Sequence, residues 1–184
     1  WMAYSRDLPN GHQAVFLYNT ESKQSTKVTD GFYSCFNPVF DPAGKYLFLT
    51  TNQVFQPNYS DYDNTFVYNN STLIGVLTLS KDSTSFLAMK DDAVTVKDEE
   101  PVPVAEKDAK AGKSAKKEEA PKPEKPKTVA IDLEDMESRL EILGIAPGNL
   151  GSLTPYKNKI VYMRYPNTGS AGGAASLKLY DFDK

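Results

Sequence analysis

Three observations predict an all-β fold for this 184-residue chain. One strand–turn–strand pattern is written three times; the strand formers Tyr and Phe number 11 and 9; and turns containing Pro, Asn or Gly punctuate the apolar runs. The clearest copy is Pro38-Val39-Phe40, the turn Asp41-Pro42-Ala43-Gly44, and then Lys45-Tyr46-Leu47-Phe48-Leu49-Thr50-Thr51. Setting Tyr46 over Trp1 places Tyr-Leu-Phe-Leu-Thr-Thr on Trp-Met-Ala-Tyr-Ser-Arg, an offset of 45 residues. A third copy occupies residues 158–165 and is followed by Ser176-Leu177-Lys178-Leu179-Tyr180-Asp181. A period of roughly 40–45 residues with several strands per unit is that of β-propeller blades, each of which buries its faces only against its neighbours. The expectation is a partial β-propeller: about one complete four-stranded blade flanked by two partial ones, with apolar sheet faces exposed at both ends. On that reading the chain is a piece of a longer protein.

Taken in order, residues 1–6 form a strand and residues 7–12 a turn, whose Asn10-Gly11 pair supplies the positive φ of a tight connection. Residues 14–18 and 25–29 are the next two strands, and Asp30-Gly31 ends the unit. Residues 32–36 bridge to the complete blade, which opens with strands at 38–40 and 45–51 and continues with Leu73-Ile74-Gly75-Val76-Leu77-Thr78-Leu79. The connection at 52–68 is too aromatic for a solvated loop, and is expected to pack over the end of the propeller or line its channel.

Composition then changes abruptly. Residues 98–127 hold eight Lys, eight Asp or Glu, five Pro, five Ala and no aromatic residue, too little apolar surface to offset the entropy of ordering. They are predicted to be a disordered insert whose charges cancel, dividing the chain into propeller sequence at 1–97, the insert at 98–127, and propeller sequence again at 128–184. Thr128-Val129-Ala130-Ile131-Asp132-Leu133 is predicted to be the closing strand of the interrupted blade. Residues 134–143 offer a helical turn or another strand, residues 145–151 a turn-rich connection, 150–154 and 159–165 the opening strands of the third blade, and 167–173 a flexible loop.

The residues also carry a family likeness. Trp1-Met2-Ala3-Tyr4-Ser5-Arg6, Val28-Thr29-Asp30-Gly31 and the stretch 38–47 look like the repeats of TolB-type propellers. More selective are Gln56-Pro57-Asn58-Tyr59-Ser60-Asp61-Tyr62-Asp63, Leu77-Thr78-Leu79-Ser80-Lys81-Asp82, and Ile131-Asp132-Leu133-Glu134-Asp135-Met136-Glu137-Ser138-Arg139 with Pro147-Gly148-Asn149-Leu150. In that order, with a charged insert before the Ile-Asp-Leu stretch, the chain resembles tricorn-type serine proteases. The resemblance implies a non-catalytic propeller segment, a scaffold and conduit for oligopeptides. Its partners would be further propeller blades, a PDZ-like module and a serine-protease domain, assembled as a hexamer. It implies a cytoplasmic location; the Lys-, Ala- and Pro-rich insert and the lone cysteine fit a periplasmic one equally well. The alternative is a TolB-like propeller that binds proteins and carries no protease.

The remaining candidates are weighed residue by residue. A net charge of −3 without a basic stripe argues against a nucleic-acid partner, and no apolar run approaches the length that spans a membrane. A hydrolytic triad needs a base beside its nucleophile, and the single histidine, His12, reads as an exposed turn residue. Cys35, the single cysteine, lies among Phe32, Tyr33 and Phe36 and reads as a buried small hydrophobe. Ser60-Asp61-Tyr62-Asp63-Asn64 lacks the central Gly and distant Glu of a calcium loop, and no metal or cofactor is expected. Asp132, Glu134, Asp135 and Glu137 read as a solvated edge or turn. Tyr59, Tyr62, Phe66 and Tyr68 are the candidates for peptide contact, with packing against the blade as the simpler reading.

Overall fold

The middle of the molecule is a sheet with no polar face. In a computed structural model, which describes residues 1–87 and 129–182, β4 (Cys35–Phe40), β5 (Tyr46–Thr51), β8 (Leu73–Thr78) and β9 (Leu140–Ile142) pair antiparallel in that order. Side chains alternate across a strand, and here both sets are buried and mainly apolar, with Thr50, Thr51 and Thr78 among them. Leu47, Leu49 and Leu77 enter one core and Phe48, Ile74 and Val76 the other. Each fully buried side chain of this size contributes roughly 1.5–3 kcal/mol, so the sheet needs a partner on each side.

Those partners are two three-stranded antiparallel sheets. On one side lie β1 (Met2–Asp7), β2 (Gln13–Tyr18) and β3 (Ser25–Lys27), whose Val15 and Leu17 meet Leu47, Leu49 and Leu77. On the other lie β10 (Asn149–Tyr156), β11 (Lys159–Tyr165) and β12 (Ser176–Asp181), whose Leu150, Leu153, Ile160 and Tyr162 meet Phe48, Ile74 and Val76. The described residues contain no α-helix; the fold is all-β, one four-stranded propeller blade between two partial blades. The outer sheets expose apolar side chains, with Met2 56% and Leu177 70% accessible.

The repetition extends to irregularities. β4 and β10, the first strands of their blades, each carry a bulge, centred on Asn37 (φ 51°) and Ser152 (φ 51°). The turn between β4 and β5 is held by one carboxylate: Asp41 accepts from the backbone N–H groups of Ala43 (3.0 Å), Lys45 (2.7 Å) and Tyr46 (2.8 Å). Gly44 closes this turn at φ 69°, and a Cβ there would lie 2.7 Å from Val129.

One expectation is corrected. The closing strand of the blade is β9 rather than residues 128–133, of which 129–133 are described. That stretch returns along the core, inserting Val129, Ile131 and Leu133, and is tied just past the end of β8 by the Asp132 N–H to Leu79 C=O bond of 2.9 Å. The ladder beside β8 is taken by Leu140 and Ile142, because Gly75 opposite leaves them room. Within the aromatic connection, β6 (Asn58–Ser60) and β7 (Thr65–Val67) form a separate hairpin. The predicted disordered insert, and its limits at 98 and 127, lie outside the described residues.

Three of the four acidic candidates fasten the returning segment, and the fourth shapes its turn. Asp132 accepts from Ser80 Oγ (3.1 Å) and the Lys81 N–H (2.7 Å), contacts that hold its carboxyl below the ordinary aspartate range. Glu134 pairs with Lys81 Nζ at 2.7 Å, Asp135 takes a left-handed backbone (φ 48°) ahead of the 3₁₀ turn Met136–Arg139, and Glu137 accepts from the Asp30 N–H at 2.8 Å. Glu137 differs from the others. Burial pushes its carboxyl up, the Asp30 N–H opposes this, and the nearby Asp30 charge adds to the rise.

Two predictions follow from this packing. A Cβ on Gly75 would lie 2.9 Å from Leu140 Cδ1 and 3.1 Å from Leu49 Cδ1, so Gly75→Val overpacks the β8–β9 contact at a cost of about 1–3 kcal/mol. Thermal unfolding should show Tm falling by several degrees; an unchanged Tm contradicts this packing. For Glu137 the folded state holds its proton more tightly than the unfolded state, so its contribution grows as pH falls through the raised value and is complete below the ordinary glutamate pKa. Glu137→Gln, whose amide still accepts from the Asp30 N–H, should be the more stable protein at pH 7. That advantage should vanish near pH 4; a pH-independent difference between the two melting curves rules the assignment out.

Candidate functional site

Strand direction decides where a site is built. Antiparallel alternation places the connections 8–12, 28–34, 52–72, 143–148 and 166–175 at one end of the three sheets, and hydrogen bonds tie them together. Asn52 N–H reaches Ser34 C=O (3.1 Å), Thr72 and Gly148 form an isolated bridge, and Thr168 N–H reaches Asn70 Oδ1 (2.8 Å).

The linker between the first two sheets is clamped from one side. Asn10 Nδ2 donates to Gly31 C=O at 3.0 Å, and His12 Nδ1 lies 3.2 Å from the same oxygen. Gly31 sits at φ 82°, and a Cβ on it would come within 2.1 Å of Leu8 Cδ1. The following residues, Phe32 and Tyr33, are pushed outward as an edge-to-face pair with ring centroids 4.9 Å apart. The second linker is clamped in the same manner, by Arg164 donating to the carbonyls of Ala146 (3.0 Å) and Pro147 (2.9 Å).

Between the first linker and the aromatic connection opens a cleft of about 630 Å³. Phe32, Tyr33, Phe55 and Tyr68 form walls, and Ser34, Asn52 and Ser71 supply polar groups. Phe55 and Tyr68 lie 6.0 Å apart with their planes at 52°. The lining has no carboxylate, ammonium or guanidinium. Asn52 Oδ1 lies beneath the lining, buried and without a hydrogen-bond partner among the described residues.

The sequence candidates fall into distinct places. Tyr68 lines the cleft; Tyr59 and Phe66 pair across the β6–β7 hairpin at 5.8 Å; and Tyr62, at its tip, is 99% accessible. The expectation that these four rings pack against the blade is therefore corrected: all four are exposed. His12 is an exposed turn residue on the rim of the cleft, as expected, and Cys35 is buried at 3% accessibility. Burial raises the Cys35 thiol above its ordinary range, and its Sγ donates to Thr51 Oγ1 at 3.4 Å, so this sulfur is not a prepared nucleophile. Asp63 is held below the ordinary aspartate range by Ser60 and Thr65, which marks a hairpin turn. Among the described residues no group of three or more His, Cys, Asp or Glu converges as metal ligands, and no helix is long and apolar enough to cross a membrane.

Sequence reasoning missed Phe32, Phe55 and Asn52 as site residues. The signal for the first was present in Gly31-Phe32-Tyr33, where a glycine at an abrupt turn precedes two rings. For Asn52, whose role depends on what surrounds it in space, no local signal exists.

No family profile and no curated protein matches the chain. Among solved structures, the crystal structure of the tricorn protease is similar to it, with a TM-score of 0.67 and 18% sequence identity, over 98% of this chain and 16% of that one. A likeness at this identity is one of fold, and it spans nearly the whole of the chain while covering a small part of the protease. The three sheets are thus a β-propeller segment with the fold of a corresponding stretch of the tricorn protease.

Proposed function

We propose that the chain is a non-catalytic propeller segment of a tricorn-like serine peptidase, serving as scaffold and as conduit for oligopeptides that downstream domains cleave. The observation that carries this reading is the fold likeness over 98% of the chain. Two features of the molecule support it. His12 and Cys35 are engaged in holding structure, and neither faces a nucleophile–base pair. Phe32, Tyr33, Phe55 and the rings of residues 59–68 gather at one end of rigid sheets, where loops present binding groups. On this reading the segment packs against further blades, a PDZ-like module and a serine-protease domain in a hexamer. Its location is cytoplasmic, with the periplasm as the competing site.

A second reading is favoured by the cleft itself, which needs no protease to be useful: a TolB-like propeller acting as a protein-binding module. Peptide hydrolysis by the full-length parent, measured beside the 184-residue chain under matched conditions, separates them. Activity in the parent alone is the expected result. No activity in either, with a folded parent, favours the binding module, and activity in the purified chain overturns both readings.

A further inference from the structure

We infer that the β6–β7 hairpin, at the loop end of the sheets, is a docking surface for a cationic peptide segment, with Tyr62 stacking on an Arg or Lys side chain whose charge Asp61 and Asp63 balance. This deepens the oligopeptide reading, on which it rests, by naming the charge of the peptide.

Charge is spread unevenly between the two ends of the sheets. In the connections 8–12, 28–34, 52–72, 143–148 and 166–175 the charged side chains are Asp30, Asp61 and Asp63, and every Lys and Arg among the described residues lies elsewhere. The turns at the opposite end mix both signs, with Lys23, Lys45, Lys81 and Lys157 beside Glu21, Asp41 and Asp82. Three cations stand on strands near the loop end, and each is engaged. Arg6 lies over the Phe16 ring at 4.3 Å, Lys27 donates to the Asp30 carbonyl, and Arg164 donates to those of Ala146 and Pro147. Asp61 and Asp63 are exposed and form no ion pair among the described residues, and hydrogen bonds from Ser60 and Thr65 favour the ionised form of Asp63. A surface of one sign attracts the other and repels its own, so a polyanion such as nucleic acid or an acidic membrane is a poor partner for it.

The rings decide between a cationic and an apolar partner. Phe55, Tyr59, Tyr62, Phe66 and Tyr68 are exposed along this connection. β6 and β7 form a two-stranded sheet of their own, an arrangement that is marginal in water and gains from being covered. An apolar partner lying over Tyr62 would strip water from the carboxylates on either side of it without pairing them, which is costly. A cation meets both demands, because ring faces attract it and carboxylates neutralise it. Arg suits the site better than Lys, since its planar group stacks on a ring while its N–H groups reach a carboxylate. The exposed rings extend from Phe55 to Tyr68 instead of converging on one point, which fits cations spaced along a chain better than a single small ion.

The test is calorimetric titration of the full-length protein, pretreated with a sulfonyl fluoride so that no serine hydrolase in it consumes the probe. The probes are acetyl-Gly-Arg-Gly-Arg-Gly-amide and counterparts in which citrulline, Leu or Glu replaces both Arg residues; citrulline keeps the shape of Arg and loses its charge. The Arg peptide should bind about tenfold more tightly than the citrulline and Leu peptides, and the Glu peptide should bind most weakly. Raising NaCl from about 0.05 M to about 0.5 M should remove most of that difference. Tyr62→Ala, at a side chain 99% accessible, should weaken the Arg peptide about threefold. Asp61→Asn combined with Asp63→Asn should bring it to the level of the citrulline peptide, with circular dichroism unchanged in both variants.

Equal binding of the Arg and citrulline peptides, or a Leu peptide that binds as tightly as the Arg peptide, overturns the charge assignment and leaves the oligopeptide reading standing. A preference for Arg that survives undiminished in both variants places cation recognition elsewhere and overturns the hairpin. If no peptide binds at millimolar concentration to protein whose circular dichroism is intact, the docking surface falls; hydrolysis by an untreated sample of the same parent then decides whether the oligopeptide reading falls with it.

Discussion

Burial of the central sheet on both faces is the constraint from which the rest of the molecule follows. β5 and β8 carry Leu47, Leu49 and Leu77 toward one neighbour and Phe48, Ile74 and Val76 toward the other. Such a sheet has no side that water can wet, so it exists only between two others. The flanking sheets inherit the same demand in weaker form. Leu177 and Leu179 sit on the outer face of β12 opposite Met163 and Val161, a surface that suits contact with another sheet better than contact with solvent.

A stack of sheets built this way is rigid in the middle and variable at its ends. Strand ends are where backbone donors and acceptors run out of ladder partners, and side chains must complete the pairing. At the end that bears the cleft this is done by specific residues: Asn10 and His12 converge on the Gly31 carbonyl, and Arg164 spans two carbonyls of the next linker. At the other end Asp41 gathers three N–H groups. These clamps fix the path of each linker, and so decide which rings face outward.

Much of this architecture was legible in the order of residues, because the 45-residue offset aligns strand on strand and glycines mark the turns. The errors have physical causes. Val129, Ile131 and Leu133 alternate as a strand should, and their side chains do enter the core; alternation reports burial, however, and cannot say whether the backbone joins a ladder. Gly75, a residue that looks like a weakness in β8, is what admits Leu140 and Ile142 as the true fourth strand. The aromatic connection misled in the opposite direction. Tyr59 and Phe66 satisfy each other across a small hairpin, so their abundance did not require a blade to cover them. Of the cleft, only Tyr68 is a sequence candidate for peptide contact, since its other walls come from segments far apart in the chain.

The distribution of chemistry over the molecule bears on what kind of work it does. The groups with the greatest reactive potential, His12, Cys35, Asp132, Glu134 and Glu137, are each occupied in holding backbone, core or a neighbouring side chain. The groups left exposed at the cleft are rings, which recognise shape and transfer nothing. Recognition of this sort requires that the rings stand at fixed angles before a ligand arrives, since ordering them on binding would subtract from affinity. Hydrogen bonds provide that order: Asn52, which bears the unpaired oxygen, is bonded through its own N–H to Ser34, the residue next to Tyr33. The start of the aromatic connection and the Phe32–Tyr33 ring pair are therefore parts of one fixed element, and a substitution that shifts the 31–34 linker would displace both together.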